Sequence, residues 1–467
     1  MQRNYDIIII GGGPGGYVSA LRGAQLKKEV ALIEKERIGG TCMNRGCIPT
    51  KYLLHQTKIF SELRESKTVD GPLDELRVNL GKIQKEKRKV VEQFVKGLLF
   101  LLEKNGVEVI KGEASLKDER RVSVLTGEEE KIIEGNAIVL AAGSHPSELP
   151  FLIPDGEKVV TSREALEFED IPQKMLIIGA GAIGIELGTF YQRLGTDVSI
   201  IEIMPTILPG WDREVVSRLE RVLKSQGLKI FTHMRIEKSH VKKDFVTLKG
   251  VSLKDDTSFE LQGNRVLLAT GRRPNSEFLK SAGLNILLDQ SDFVRVTPQL
   301  ETNIPGVYAI GDLIGGKLLA HKASHEGIVA AENISGAKRT INYDALPIAV
   351  YTEPEFSSVG LTEEEALNKG IKTKIGRFPL RANSRALTME RPDGMVKVMA
   401  DEKDKIIGAH ILAPNASEII TEISLAIASR MKIHDIASLI HIHPSISEAV
   451  MEASMKAKGA ALHILNI

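Results

Sequence analysis

The chain has 467 residues, 42% of them hydrophobic and 26% charged, with a formal net charge of +1. That length is too great for one ordinary core and predicts three or four domain-sized units. The near-neutral balance argues against nucleic-acid or membrane-surface binding, which needs a basic excess, and no window approaches the roughly 18 apolar residues of a membrane span.

The opening "MQRNYDIIIIGGG" enters an apolar strand almost at once. It leaves no room for a secretory signal and predicts a cytoplasmic protein. The segment "YDIIIIGGGPGGYVSALRGAQLKKEVALIEK" continues through Gly11, Gly13 and Gly16, an amphipathic helix pattern, and a second strand ending at Glu34. A lone GxGxxG is weak evidence, but this one sits between strand and helix with an acid closing the next strand, as a dinucleotide site requires. The first glycine permits the tight turn, the second lets the backbone approach a pyrophosphate, and the third lets helix and strand pack closely. The helix N-terminus offers its N–H groups to the phosphates, and Glu34 would accept hydrogen bonds from ribose hydroxyls.

"GGTCMNRGCIPTK" (39–51) then holds the chain's only two cysteines, Cys42 and Cys47. A zinc site needs about four ligands, and the nearest histidine is His55. Inert buried thiols have no need of partners. In a reducing compartment a stable structural disulfide is unfavoured, which leaves a redox pair, oxidised and resolved by thiolate attack. Arg45 between the cysteines either lowers a thiol pKa or is solvated. Residues 82–105 read as a long amphipathic helix with a solvated charged face and no chemistry.

"GNAIVLAAGSHP" (135–146) and "GNRVLLATGRRPN" (263–275) are related strand-and-glycine turns, and "SELPFLIPDG" (147–156) reads as a linker. Between them "KMLIIGAGAIGIELGTFYQRLGTDVSIIEI" repeats the first fingerprint with identical internal spacing, as Gly179, Gly181, Gly184 and Glu202. A 2′-phosphate beside Glu202 would be repelled and the following "IMP" supplies no cation, so NAD is favoured over NADP. "GVYAIGDLIGG" (306–316) places Asp312 after another buried strand, either to meet a cofactor hydroxyl or as a plain turn residue. From about residue 344 the pattern changes to strands and helices without a nucleotide fingerprint.

The cysteine segment resembles the redox-active disulfide motif of the flavoprotein disulfide reductases, the pyridine nucleotide–disulfide oxidoreductases, and the similarity runs over essentially the whole chain. "LLAHKASHEG" (318–327), "RANSRA" (381–386), "GAHILAPNASEII" (408–420) and "HIHPSISE" (441–448) are most similar to the lipoamide-oxidising dihydrolipoyl dehydrogenase branch. The resemblance implies an α/β fold with two Rossmann-like nucleotide-binding domains, for FAD and NAD, plus a C-terminal α+β dimerisation domain. The implied division is 1–147 for FAD, 148–273 for NAD, 274–343 as a central domain returning to the FAD domain, and 344–467 as the interface domain.

The resemblance also assigns roles. Cys42 exchanges with substrate and Cys47 faces the flavin. Lys51 lies near the flavin and pairs with Glu186, whose plainer reading is a first-turn charge favoured by the helix dipole. Ala114, Gly143, Ser144, Asp312, Ala320 and Gly271 join the two fingerprints as cofactor-binding positions, and no metal is implied. The base is His443, held by Glu448, although Ser445 and Glu448 alone have the spacing of a helix capping box. His441 is read as a packing or supporting residue. The implied partners are a second copy sharing each active site and lipoyl-bearing subunits of 2-oxo acid dehydrogenase or glycine cleavage complexes. Rivals are a glutathione- or mercuric-reductase-like enzyme and a non-catalytic scaffold that keeps the fold.

Overall fold

The computed structural model describes residues 4–280 and 284–466 and divides into two compact units. The first unit comprises residues 1–53, 79–147 and 271–341; the second comprises 54–78, 148–270 and 342–467. Neither is continuous in sequence.

In the first unit the strands β1 (Asn4–Ile10), β2 (Val30–Glu34), β3 (Glu108–Lys111), β4 (Glu113–Leu116), β5 (Arg121–Thr126) and β6 (Glu129–Leu140) form one sheet in the order β3-β2-β1-β6-β5-β4. Strand β6 changes character along its length. Its first half pairs antiparallel with β5, its second half runs parallel to β1, and its end also takes the strand Val307–Ala309 in parallel. The run Ile7–Ile10 is apolar at every position because both faces of β1 are covered, as expected of a parallel sheet. Ile8 and Ile10 join a core with Ile33, Leu140 and Leu313. Ile7 and Ile9 join another with Leu32, Val91, Val95 and Leu102.

Four helices belong to the N-terminal stretch: α1 (Pro14–Gln25), α2 (Gly40–Arg45), α3 (Cys47–Glu65) and α4 (Leu80–Lys104). Against α1 lies the helix Ala320–Ile334, and a Cβ at Gly327 would stand 2.4 Å from the Gly15 carbonyl oxygen, so only glycine allows that approach. The outer face of α4 is less uniformly charged than its sequence suggests, because Phe94, Leu99, Phe100 and Leu101 are also exposed.

The second unit contains a parallel sheet ordered Lys229–Phe231, Asp197–Ile201, Lys174–Ile178, Arg265–Leu268, Val159–Val160, and a three-stranded antiparallel sheet over 234–263. Its C-terminal part is a five-stranded antiparallel sheet ordered Ile348–Val350, Glu355–Gly360, Ile406–Ala413, Met395–Asp401, Thr373–Pro379. The helices Ala416–Ala428 and Glu448–Ala457 bury Ile420, Ile423, Val450 and Ala453 in one core with it.

A buried ion cluster inside the second unit has no signature in the sequence. Lys397, 1% exposed, donates to Asp212 at 2.9 Å and to Glu363 at 2.5 Å, with Glu214 at 3.3 Å. Asp212 also caps the helix Arg213–Ser225 by accepting from the Val215 N–H at 3.2 Å. Burial works against its charge, but His410, Lys397 and the Val215 N–H hold its carboxyl below the usual carboxylate value. Lys397→Ala would leave the buried Asp212 carboxylate without its ammonium partner and is expected to cost about 3 kcal/mol in a urea unfolding curve. Because the Asp212 pKa is depressed on folding, its contribution is present above the unfolded carboxylate value and disappears as pH falls through the folded one. The wild type should therefore lose stability on acidification by a margin that Lys397→Ala lacks.

Candidate functional site

The two glycine fingerprints fold into the same turn. Gly11 and Gly179 have φ of +106° and +104°, and a Cβ on either would lie 2.3 Å from Ala141 O or 2.4 Å from Ala269 O. A Cβ on Gly16 would stand 1.8 Å from Gly11 O, and on Gly184 2.0 Å from Gly179 O. These four glycines are dictated by the protein's own backbone. Gly13 and Gly181 are not. Each is the N-cap of its helix at an ordinary φ, −73° and −74°, with no side-chain cap. A Cβ at Gly13 would meet only Gly40 Cα at 3.9 Å, and at Gly181 nothing within 4 Å.

The acids closing the second strands also repeat. Glu34 accepts from the Gly12 N–H and the Glu36 N–H, both at 2.8 Å. Glu202 accepts from the Ala180 N–H at 2.7 Å and the Met204 N–H at 2.8 Å. Each carboxylate thus ties the glycine turn to its own strand end while keeping lone pairs for a further donor. This clamping role is not visible in the spacing alone.

In the first unit Asp312 Oδ2 accepts from Ser144 Oγ at 2.5 Å, and Arg272 donates to Ser144 Oγ at 2.7 Å and to Ser144 O at 2.6 Å. Ser144–Pro146 and Arg272–Pro274 pair as antiparallel strands, preceded by Gly143 and Gly271 at φ +71° and +109°. The related turns 135–146 and 263–275 are therefore physically joined. Sequence reasoning missed Arg272, although it stands beside Gly271 in the second turn; burial pulls its pKa down while Asp312 opposes this. It also missed the ion pair beneath Asp312. Lys322 and Glu326 meet at 2.8 Å, 5% and 0% exposed, and Glu326 accepts from the Gly311 N–H at 2.7 Å. Ala320 begins the helix that carries them, and Ala114 lies in β4 opposite Val124.

Cys42 lies in α2 and Cys47 opens α3. Both are thiols, with the Cys42 side chain hydrogen-bonded to that of Cys47. That bond, then burial and charge on Cys47, pushes the Cys42 pKa far above the usual thiol range, while the Lys51 ammonium pulls the other way. Arg45 is engaged by Glu36.

Glu186 is buried beyond the first turn of the helix Ala182–Arg193, so the dipole does not account for it; its Oε1 accepts from the Tyr351 N–H at 3.0 Å. His443 is 73% exposed, and its Nδ1 donates to Glu448 Oε1 at 2.8 Å, which leaves Nε2 as the basic nitrogen. Glu448 Oε2 meanwhile accepts from the Ser445 N–H at 2.8 Å and Ser445 Oγ from the Glu448 N–H at 3.3 Å. The helix itself begins at Glu448 with Ser447 as an N-cap that makes no side-chain bond, so this carboxylate closes the turn before the helix with one oxygen and holds the histidine with the other. Burial opposes its ionisation, but the Ser445 N–H and His443 hold its pKa below the usual value.

Among the described residues, no cluster of three or more His, Cys, Asp or Glu is placed to hold a metal ion, and no helix is long and apolar enough to cross a membrane.

Comparison with known proteins gives matches over nearly the whole chain. Residues 5–327 match the pyridine nucleotide-disulphide oxidoreductase family and residues 346–454 its dimerisation domain. The chain belongs to the pyridine nucleotide-disulphide oxidoreductases. It is 40% identical to a dihydrolipoyl dehydrogenase of Thermus scotoductus over 100% of both chains. It is 38% identical to dihydrolipoyl dehydrogenase 3 of Haloarcula marismortui, covering 99% of this chain and 98% of that one. The crystal structure of LpdA from Mycobacterium tuberculosis superposes with a TM-score of 0.88 at 26% identity, over 97% of this chain and 99% of that one.

Family membership explains what the protein's packing leaves unexplained. Nothing among the described residues crowds a Cβ at Gly13 or Gly181, so glycine there leaves the backbone open to a close approach of the kind a pyrophosphate makes. The residues fit the family's two dinucleotides, FAD and NAD. Gly181→Ala should leave the melting temperature unchanged yet weaken NADH binding, measured by fluorescence titration. Gly184→Ala, where a Cβ meets backbone, should lower the melting temperature as well.

Proposed function

We infer that this protein is a flavoenzyme that oxidises dihydrolipoyl groups to lipoyl groups and reduces NAD⁺. The observation that carries the reading is the pairing of two adjacent thiols, Cys42 and Cys47, with two complete nucleotide turns in a chain of this family. The first turn, with Glu34, Ser144 and Asp312, is assigned to FAD, and the second, with Glu202, to NAD. Residues 1–147 and 274–343 then form the flavin-binding part, 148–273 the NAD part and 344–467 the interface domain.

Bound FAD supplies two-electron transfer between a sulfur couple and the hydride acceptor NAD⁺. The chain's own residues handle sulfur and protons. His443 Nε2 takes the proton from one dihydrolipoyl thiol, because the thiolate is the nucleophile. That sulfur attacks Cys42 of the Cys42–Cys47 disulfide, and Cys47 departs as a thiolate. The second substrate thiol then attacks the mixed disulfide, releasing the cyclic disulfide product and leaving two protein thiols. Glu448 keeps His443 in the Nδ1–H tautomer and favours the imidazolium once formed. The raised Cys42 pKa in the dithiol state means that Cys42, on leaving the mixed disulfide, takes up the proton carried by His443. Lys51 bears positive charge close to the pair.

Membership of the dimerisation-domain family makes the protein a homodimer. We further infer that each active site is shared, His443 serving the cysteine pair of the partner subunit. A base that is 73% exposed, flanked by Ile440 and Ile442 at 95% and 81%, suits a surface that a second copy covers. Substrates are lipoyl groups carried on partner subunits of 2-oxo acid dehydrogenase or glycine cleavage complexes, met in the cytoplasm.

The deciding assay compares dihydrolipoamide with NAD⁺ against glutathione disulfide with NADPH. Turnover with the first pair alone is expected, and turnover only with the second would overturn the reading. Cys47→Ser should abolish flavin reduction by dihydrolipoamide in rapid mixing. His443→Gln should lower turnover by about 10²–10⁴-fold with folding intact.

A further inference from the structure

Between the helices Ile433–Ala437 and Glu448–Ala457 the chain has no regular structure, and Leu439, Ile440, Ile442, His443 and Pro444 are all exposed. The base therefore sits on a loop with no apolar anchor between Ala437 and Ile446, both buried. Its downstream side is held by polar contacts. Asn383, 3% exposed, donates from Nδ2 to the Ser445 carbonyl at 2.9 Å, and Glu448 accepts from the Ser445 N–H.

Upstream, one side chain points inward. His441 is 5% exposed, with Nδ1 at 3.0 Å from the Leu439 carbonyl oxygen and Nε2 at 3.1 Å from Glu422 Oε1. A carbonyl oxygen and a carboxylate oxygen only accept, so both ring nitrogens must donate, and a neutral imidazole has a single N–H. With Glu422 ionised, both contacts are hydrogen bonds only when the ring is an imidazolium. Glu422, on the helix Ala416–Ala428, is its counter-charge, and Glu448 is the other charged group acting on it. The Glu422 bond raises the His441 pKa, with burial opposing.

We propose that the Glu422–His441 ion pair positions the base, anchoring to the helix Ala416–Ala428 the loop on which His443 stands two residues further on. This rests on the reading of His443 as base and assigns His441 and Glu422 no contact with substrate. With the pair intact the loop is held on both sides of His443; without it, the imidazole hangs from Ser445 and Glu448 alone. Because the His441 pKa is raised on folding, the anchor is fully present below the ordinary histidine value and is lost as pH rises through the elevated one. Reaction with the dithiol then carries an alkaline loss that reaction with NADH, which does not use His443, does not share.

The test is stopped-flow reduction of the flavin in the holoenzyme, by dihydrolipoamide and by NADH, from neutral to alkaline pH. His441→Phe and Glu422→Gln are expected to slow reduction by dihydrolipoamide by about 10²-fold, the scale of a misplaced reacting group, and to leave reduction by NADH unchanged. His441→Gln keeps a donor for Glu422 but cannot titrate, so it should recover part of the rate and lose the alkaline decline. Wild-type rates with dihydrolipoamide in His441→Phe and Glu422→Gln, alongside an inactive His443→Gln, would overturn the positioning role and leave the base intact. A fully active His443→Gln would overturn the base itself. Should His441→Phe fail to retain flavin, the near-isosteric Glu422→Gln decides, and an unaltered rate and alkaline limb there sink the proposal.

Discussion

Both nucleotide turns depend on backbone lying against backbone with no space for a Cβ. At Gly16 over Gly11, and at Gly184 over Gly179, any side chain would sit within about a bond length of a carbonyl oxygen. That contact brings each helix N-terminus onto the end of its strand, where no side chain caps it. The carboxylates of Glu34 and Glu202 then lock the turn from the next strand through two backbone N–H groups each. Phosphate recognition is thus prepared by the turn itself, and the remaining side chains adjust which dinucleotide is taken.

The sulfur chemistry follows a different design. Cys42 and Cys47 are set by two helices that meet at Gly46, and a Cβ at Gly46 would lie 2.9 Å from the Thr41 carbonyl oxygen. His443 stands on irregular backbone, where precision has to come from polar contacts rather than packing. Glu448 does two tasks with two oxygens, closing the Ser445 turn that precedes its helix and meeting His443. A second histidine–carboxylate pair, His441 with Glu422, stands two residues upstream.

Much of this was legible before any coordinates. The paired fingerprints, the acids that close them, the cysteine pair and the HxHP segment all rest on short local patterns whose chemistry requires particular residues at particular spacings. The choice between cap and histidine partner for Glu448 could not be made from spacing, because one carboxylate satisfies both and a sequence does not count lone pairs. The plainer alternative for Glu186, a dipole-stabilised first-turn charge, fails because its partner, the Tyr351 N–H, is remote in the chain and the residue lies beyond that turn. Arg272 and the Lys322–Glu326 pair passed unnoticed for the same reason. Their partners, Ser144 and Gly311, become neighbours only when strands and turns close.

The sequence by itself determined where the two glycine turns, their closing acids and the cysteine pair lie, since each depends on steric or chemical properties of residues within one turn or one strand–helix unit. Only the tertiary structure decided which buried charges are neutralised, which acid clamps which loop, and which carboxylate each histidine of the HxHP segment meets. Those outcomes depend on how many donors and acceptors converge on one atom from distant parts of the chain.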